Sequence, residues 1–154
     1  GDFPIIAAGG IWDKNDIDNY LAMGCAGVQM ATRFIGTFEC DADAKFKNVL
    51  LNSKEEDIIL MKSPVGLPAR GVKTNLQFSI ENHTAPKVQC ISNCVAPCNR
   101  GTEAKIVGYC IADRLGAAYN GDVDTGLFFT GSNGYKINKI ISVKELMEKL
   151  TQGE

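Results

Sequence analysis

The sequence has little of several features that mark specialised classes of protein. Its 154 residues include one histidine and one tryptophan, and 16 basic residues stand against 18 acidic ones, for a net charge of −2. Without a basic excess, we expect no nucleic-acid partner. No apolar run approaches the roughly 20 residues that cross a bilayer, so we expect no membrane partner. Residues 1–10 lack the basic and cleavage regions of a secretory signal, which favours a cytoplasmic protein.

The scarcity of histidine also restricts the catalytic chemistry. His83, in the stretch "SIENHTAP", is the only candidate for an imidazole base. A single histidine in a turn-rich segment is usually a solvated surface group. We therefore assign no catalytic residue from the sequence.

What the sequence does contain is the composition of an ordinary globular protein, 45% apolar and 22% charged,. In residues 1–62, short apolar runs alternate with amphipathic stretches, which predicts an α/β fold with parallel strands. The predicted elements are a buried strand at 3–8, a helix at 13–23, a strand at 26–30, a helix at 42–51 and a strand at 57–62.

Residues 63–154 lack this alternation and are predicted to form a C-terminal extension. Its first part is rich in turn residues, and its middle holds a group of cysteines. Helices are expected at 109–119 and 143–150. Ser142 and Glu145 have the spacing of a capping box, which marks the start of the last helix.

Two of the predicted strands end in small residues that suit a phosphate. Gly9 and Gly10 follow the first strand, and Ala31 and Thr32 follow the second. Small residues let backbone N–H groups approach an anion closely, and a helix N-terminus after each strand would add a favourable dipole. Taken alone, the glycine pair could also be no more than a tight turn.

The wording of these segments resembles a known family. The stretch "PIIAAGGIWDKNDIDNYLAMGCAGVQMATRF" is similar to the last part of the barrel in nitronate monooxygenases, once called 2-nitropropane dioxygenases. That family includes flavin-dependent enoyl-acyl-carrier-protein (enoyl-ACP) reductases. Its pattern is an "AAGGI" strand end, a helix ending in "LGA", and then "GVQxGTRF". "LPARGVKTNL", residues 67–76, resembles the segment that follows in the family.

The resemblance implies a cofactor and a set of contacts for it. The family binds FMN, and its phosphate contacts correspond here to Gly9, Gly10, Gln29, Ala31 and Thr32. Ala31 stands where the family has glycine. An alanine still offers its N–H to a phosphate if the backbone there needs no positive φ.

The resemblance also implies the fold. A (β/α)8 barrel needs about 250 residues, and its phosphate-binding strands come seventh and eighth. Here they come first, so residues 1–62 are expected to be the last two βα units of an FMN-binding TIM barrel. The chain would then be a C-terminal fragment whose N-terminal barrel half, with the family's catalytic histidine, precedes it. A complete small α/β domain is the alternative.

The implied activity is the FMN-dependent oxidation of a small nitronate by oxygen. The alternatives are an FMN-dependent enoyl-ACP reductase and a non-catalytic metal-binding or interaction module built on cysteines. The fragment alone is expected to be inactive, because the family's catalytic segment is missing from it.

The cysteine group offers a second candidate site. Cys90, Cys94, Cys98 and Cys110 follow the spacing C-x3-C-x3-C-x11-C. Four thiolates can hold zinc or an iron–sulfur cluster. The spacing resembles the C-x2-C-x3-C-x11-C quartet of the flavin and iron–sulfur dienoyl reductases, with one residue more in the first gap. The alternative is a set of buried thiols without metal.

Two basic residues flank the small-residue loop of the later segment. Arg70 and Lys73 could meet an anionic substrate or cofactor. Exposed basic residues are more often simply solvated, and that remains the default interpretation.

Overall fold

The computed structural model describes residues 3–88, 94, 98 and 108–153. Four strands and six helices lie in these ranges, together with two 3-10 turns at Glu55–Asp57 and Gly134–Lys136. In chain order they are β1 (Ile6–Ala8), α1 (Lys14–Ala22), β2 (Gly27–Gln29), α2 (Thr32–Ile35), α3 (Ala44–Leu51), β3 (Ile58–Met61), β4 (Ala69–Val72), α4 (Asn75–Glu81), α5 (Ile111–Tyr119) and α6 (Val143–Gln152).

The predicted βαβ unit is present at the start of the chain. β1 and β2 pair in parallel, with Ile6 opposite Gly27 and Ala8 opposite Gln29. α1 connects them and begins at an Asp13 cap. Because the strands run in the same direction, their two small-residue ends lie side by side at one edge of the sheet.

The burial predicted for the first strand is wrong. Ile5 and Ile6 are 64% and 54% exposed. Parallel strands are normally covered on both faces by other layers. Within the described residues this sheet has only two strands, so it does not bury its own apolar side chains.

The extension contains more regular structure than the sequence predicts. β3 and β4 form an antiparallel pair, and Phe129 continues it through a bridge to Gly71. α4 follows directly, and the Thr74 backbone N–H donates to Gln77 Oε1 at 2.6 Å. That pair is a capping box, a signal present in the sequence.

Three clusters of buried residues hold these elements together. Leu50 of α3 packs with Phe128, and the Phe128 ring lies 4.9 Å from that of Phe46. Leu146 and Leu150 of α6 pack against α1 and the segment after β2. Residues of the first 62 positions therefore share their core with the extension.

Only one half of the capping box predicted for the start of α6 is formed. Ser142 Oγ accepts the Glu145 N–H at 3.0 Å. The Glu145 carboxylate does not return to the cap but pairs with Lys139 and Lys149. Glu39 instead accepts the Val143 N–H. Among the helices described, none has the length and apolar character needed to cross a bilayer.

Candidate functional site

A cleft of about 430 Å³ opens where β1 and β2 end. Its volume lies within the range typical of small-molecule sites, roughly 300–1,000 Å³. The structure brings all five residues of the predicted cofactor site into its lining: Gly9, Gly10, Gln29, Ala31 and Thr32. They meet there because parallel neighbouring strands end at the same edge.

The glycine pair has a backbone that other residues rarely adopt. Gly9 and Gly10 have φ values of +87° and +74°. A Cβ at Gly9 would stand in open space, with no other atom within 4 Å. The N–H groups of both glycines donate no hydrogen bond within the described part of the chain. The first strand end thus presents unused donors on a surface without side chains.

The second strand end is built without glycine. Ala31 has φ −125°, a value open to any residue. The alanine that replaces the family's glycine is therefore unstrained. Thr32 follows as the first residue of α2, and its N–H is also unused among the described residues.

A turn formed by residues 130–134 closes the cleft and was missed by sequence analysis. The Gly131 N–H donates to Thr32 Oγ1 at 2.7 Å, and Asn133 Nδ2 donates to the Gly10 carbonyl at 2.7 Å. This turn contacts both strand ends. Its partners lie 99 and 123 residues away in sequence, so no local pattern could reveal the contact.

The remaining lining combines apolar side chains with one charge. Apolar surface comes from Ile11, Trp12, Met30, Ile35 and Phe129. Among the described residues, Arg70 is the one charged residue of the lining. Arg70 is exposed and forms no ion pair with any described residue. Arg70 is thus solvated, as expected of an exposed basic residue, but it also lies where a bound anion could reach it. Lys73 lies outside the cleft, with its Nζ 4.8 Å from the Phe78 ring centroid.

The N-terminus of α1 contributes less to an anion site than the sequence predicts. Asp13 accepts the Asp16 N–H at 3.0 Å, and the Asp16 carboxylate accepts the Trp12 N–H at 2.7 Å. Two carboxylates already balance the positive end of this helix. Other donors of the cleft are therefore more important for an anion: the backbone N–H groups of the strand ends, the Thr32 hydroxyl and the Arg70 guanidinium,.

The Thr130 side chain also lines the cleft. It is 8% exposed, and its buried Oγ1 has no hydrogen-bond partner among the described residues. An unsatisfied buried hydroxyl costs about 1–3 kcal/mol. Thr130 Oγ1 thus adds a buried side-chain atom to the backbone N–H groups of this cleft that have no partner among the described residues.

The other candidate residues do not join this site. His83 is exposed, has φ +58° and is absent from the cleft lining. Cys94 and Cys98 are exposed, and Cys110 is partly buried. Cys90 lies outside the described residues. No group of three or more potential metal ligands occurs among the residues that are described, and the four-cysteine site stays a prediction.

Comparison with known proteins assigns the family. The family model for nitronate monooxygenase matches residues 1–153. The chain belongs to the nitronate monooxygenase family. The resemblance inferred from the two strand ends is confirmed, and with it membership of a family of oxidoreductases.

Curated members of the family match a little less than half of the chain. A probable nitronate monooxygenase of Staphylococcus aureus strain Newman is 38% identical over 69 residues, which are 45% of this chain and 19% of the relative. One from Staphylococcus saprophyticus is 36% identical over 72 residues, 47% of this chain and 20% of the relative. The matched stretch thus spans about a fifth of each relative.

Solved structures match nearly the whole chain. FabK from Thermotoga maritima has a TM-score of 0.77 at 25% identity, over 99% of this chain and 44% of FabK. Nitroalkane oxidase from Streptomyces ansochromogenes has a TM-score of 0.67 at 25% identity, over 99% of this chain and 40% of the oxidase. The chain therefore spans less than half the length of either protein.

Proposed function

We propose that this chain is the C-terminal part of an FMN-dependent oxidoreductase that oxidises nitronates with oxygen. The observation that supports this most directly is the cleft in which Gly9, Gly10 and Thr32 converge. The two βα units would be the last two of a TIM barrel, followed by the extension from residue 63.

The described residues fit the phosphate end of FMN. A phosphate accepts hydrogen bonds and needs donors that can approach closely. Gly9, Gly10 and Thr32 offer unused N–H groups, and two of these residues carry no side chain to block the approach. Arg70 supplies positive charge in the same cleft.

The apolar lining fits the ring system. Trp12, Met30 and Phe129 are among the apolar residues of the lining, and the Arg33 guanidinium lies 4.3 Å from the centroid of the Trp12 ring. Such surfaces exclude water from a planar aromatic ligand. FMN, when bound, supplies the electron-accepting chemistry of nitronate oxidation. Within this chain the residues bind and orient, and no catalytic base is assigned.

We further propose that preceding barrel strands cover β1 in the full-length protein. Ile5 and Ile6 are exposed here, and solved relatives extend well beyond the matched region. The catalytic histidine that the family resemblance implies would come from that preceding part.

An enoyl-ACP reductase is the second candidate. Its support is that the backbone of this chain resembles FabK, with a TM-score of 0.77, as well as nitroalkane oxidase, with 0.67. The curated relatives matched by sequence are probable nitronate monooxygenases. We keep nitronate oxidation as the first proposal because the matching family model and the curated relatives both carry the description nitronate monooxygenase.

The decisive experiment is a fluorimetric titration of the full-length protein with FMN and with riboflavin, which lacks the phosphate. We expect FMN to bind at least tenfold more tightly, because a hydrogen bond to a charged group contributes about 1.5–3 kcal/mol. Equal affinities would contradict a phosphate site. Absence of flavin binding would contradict the flavoenzyme proposal and favour a cysteine-based module.

Substrate assays then separate the two enzymes. Oxygen uptake with a nitronate, without a nicotinamide cofactor, is expected for the first proposal. Oxidation of a reduced nicotinamide that depends on an enoyl thioester would replace it with the second.

A further inference from the structure

We propose that Asn133 is a positioning residue that sets the anion site before the ligand arrives, together with the Gly131 N–H. This inference rests on the proposed FMN site and adds a determinant of its preference for a phosphorylated ligand. The inference is based on one observation: the turn at residues 130–134 forms hydrogen bonds with both strand ends of the cleft.

The first contact orients the Thr32 hydroxyl. A hydroxyl has one proton to donate and lone pairs that accept. The Gly131 N–H occupies a lone pair of Thr32 Oγ1 at 2.7 Å. The hydroxyl proton has no acceptor among the described residues. It is therefore left to donate to a ligand, which is what an anion requires.

The second contact fixes the flexible glycine segment. Glycine loses more conformational freedom on ordering than any other residue, and Gly9 and Gly10 are adjacent. Asn133 Nδ2 holds the Gly10 carbonyl oxygen at 2.7 Å. A peptide is planar, so holding this carbonyl also fixes the plane that carries the Ile11 N–H. Ordering the segment in advance lowers the entropy lost on binding.

The turn at residues 130–134 is itself fixed by contacts with the rest of the protein, so it can position the two strand ends. The Thr130 N–H donates to the Arg70 carbonyl at 3.2 Å, which ties the turn to β4. Ile137, at its far side, is buried in the core cluster with Phe128. A Cβ at Gly134 would collide with Thr130 Oγ1, so the close return of the chain needs glycine there.

These contacts act on the end of the site that meets phosphate. Gly10 and Thr32 are the proposed phosphate contacts, whereas the apolar wall meets the ring. Loss of Asn133 is therefore expected to weaken FMN binding and to leave riboflavin binding unchanged. A general structural defect would weaken both ligands alike.

The test compares Asn133→Ala with Asn138→Ala in the full-length protein. Asn138 is exposed and lies outside the cleft lining, so it is the matched control. We expect Asn133→Ala to raise the Kd for FMN about tenfold, the loss typical of one hydrogen bond. The Kd for riboflavin and the control variant should stay at wild-type values.

Asn133→Asp provides a second variant of the same size. The new carboxylate places an acceptor beside the Gly10 carbonyl, so the hydrogen bond is lost. The increase in the Kd for FMN should persist at high salt, where repulsion between the carboxylate and the phosphate is screened. Unchanged FMN binding in both variants, or an equal loss for FMN and riboflavin, would overturn the inference alone. A wild-type protein that binds no flavin would overturn the proposed function as well.

Discussion

Gly10 meets two separate requirements, a left-handed backbone and an open approach to the cleft. Gly10→Ala should lower the stability of the protein, because a side chain in the left-handed region costs roughly 1–2 kcal/mol. It should also lower FMN affinity by about tenfold through the added methyl group. Thermal unfolding and FMN titration measure the two effects.

Gly24→Ala is a control that separates the effect of backbone strain on stability from an effect on FMN binding. Gly24 has φ +95° and no atom within 4 Å of an added Cβ, and it lies outside the cleft lining. We expect a comparable loss of stability with unchanged FMN affinity. Equal affinity losses in the two variants would show that strain alone explains the Gly10 effect.

Arg70 is expected to supply the charge that an anion needs. Arg70→Gln should weaken FMN by about tenfold but spare riboflavin if the guanidinium pairs with the phosphate, since charge-assisted bonds are the stronger ones. If it pairs with the substrate instead, the KM for a nitronate rises while FMN affinity stays constant. Lys73→Gln is the control. If Arg70→Gln changes neither the Kd for FMN nor the KM for a nitronate, Arg70 takes no part in binding.

At the level of residues, the sequence indicates which small residues lie together, and their role in binding FMN stays a prediction. Gly9, Gly10 and Thr32 follow neighbouring strands, so a strand pattern and small residues suffice to place them together. Asn133 carries no comparable signal. It reaches Gly10 across 123 residues, and an asparagine beside glycine is typical of many turns that bind nothing.

At the level of elements, the Ser142 cap at the start of α6 can be tested by substitution. Ser142→Ala should destabilise the protein by about 1 kcal/mol, because the hydroxyl satisfies an otherwise unpaired N–H of the first turn. Urea unfolding measures the change. Lys144→Ala, an exposed change in the same helix, should be nearly neutral. Equal midpoints for Ser142→Ala and the wild type would contradict the cap's contribution.

Tyr109 links the start of α5 to the end of β3 and should confer pH dependence. Its hydroxyl donates to the Lys62 carbonyl at 2.9 Å, and burial raises the pKa of Tyr109 from 10.0 to about 12. The folded state favours the neutral phenol, so this contribution is complete below pH 10 and is lost as pH rises through 12,.

Melting temperatures of the wild type and Tyr109→Phe, measured from pH 8 to about 11 within the range of tyrosine ionisation, check this expectation. Tyr109→Phe should be less stable at pH 8, because it lacks the hydrogen bond, and should lose less stability on going to alkaline pH. Parallel profiles would rule out titration of Tyr109 as a cause of alkaline unfolding.

The elements that sequence analysis found and missed differ in what stabilises them. β1, α1 and β2 follow a local pattern of apolar runs and caps. β4 contains glycine and follows two prolines, features that predict turns. It becomes a strand through β3 and Phe129, partners that a local window does not contain.

At the level of the whole molecule, we expect these 154 residues to show no nitronate oxidation on their own. The single histidine is exposed and outside the cleft, and the match spans less than half of each solved relative. Oxygen uptake with added FMN should equal the background of free flavin. Turnover above that background would require a catalytic group within this chain.

The expectation of a barrel depends on the family resemblance alone. Two βα units are common to many α/β proteins, so their pattern alone leaves a small domain and a barrel fragment open. The exposure of Ile5 and Ile6 could not be predicted either, because an apolar run looks the same whether or not its covering layer is present.

The turn at 130–134 also has a consequence for the timing of folding. Its bonds to Thr32 and Gly10 close loops of 99 and 123 residues, and such closures are slow because their entropy cost precedes the stabilising contacts. During translation both strand ends emerge from the ribosome long before Asn133 is synthesised. If FMN occupies the proposed site, we expect a nascent chain stalled before residue 130 to bind it more weakly than the finished chain, so that tight binding follows synthesis of the turn.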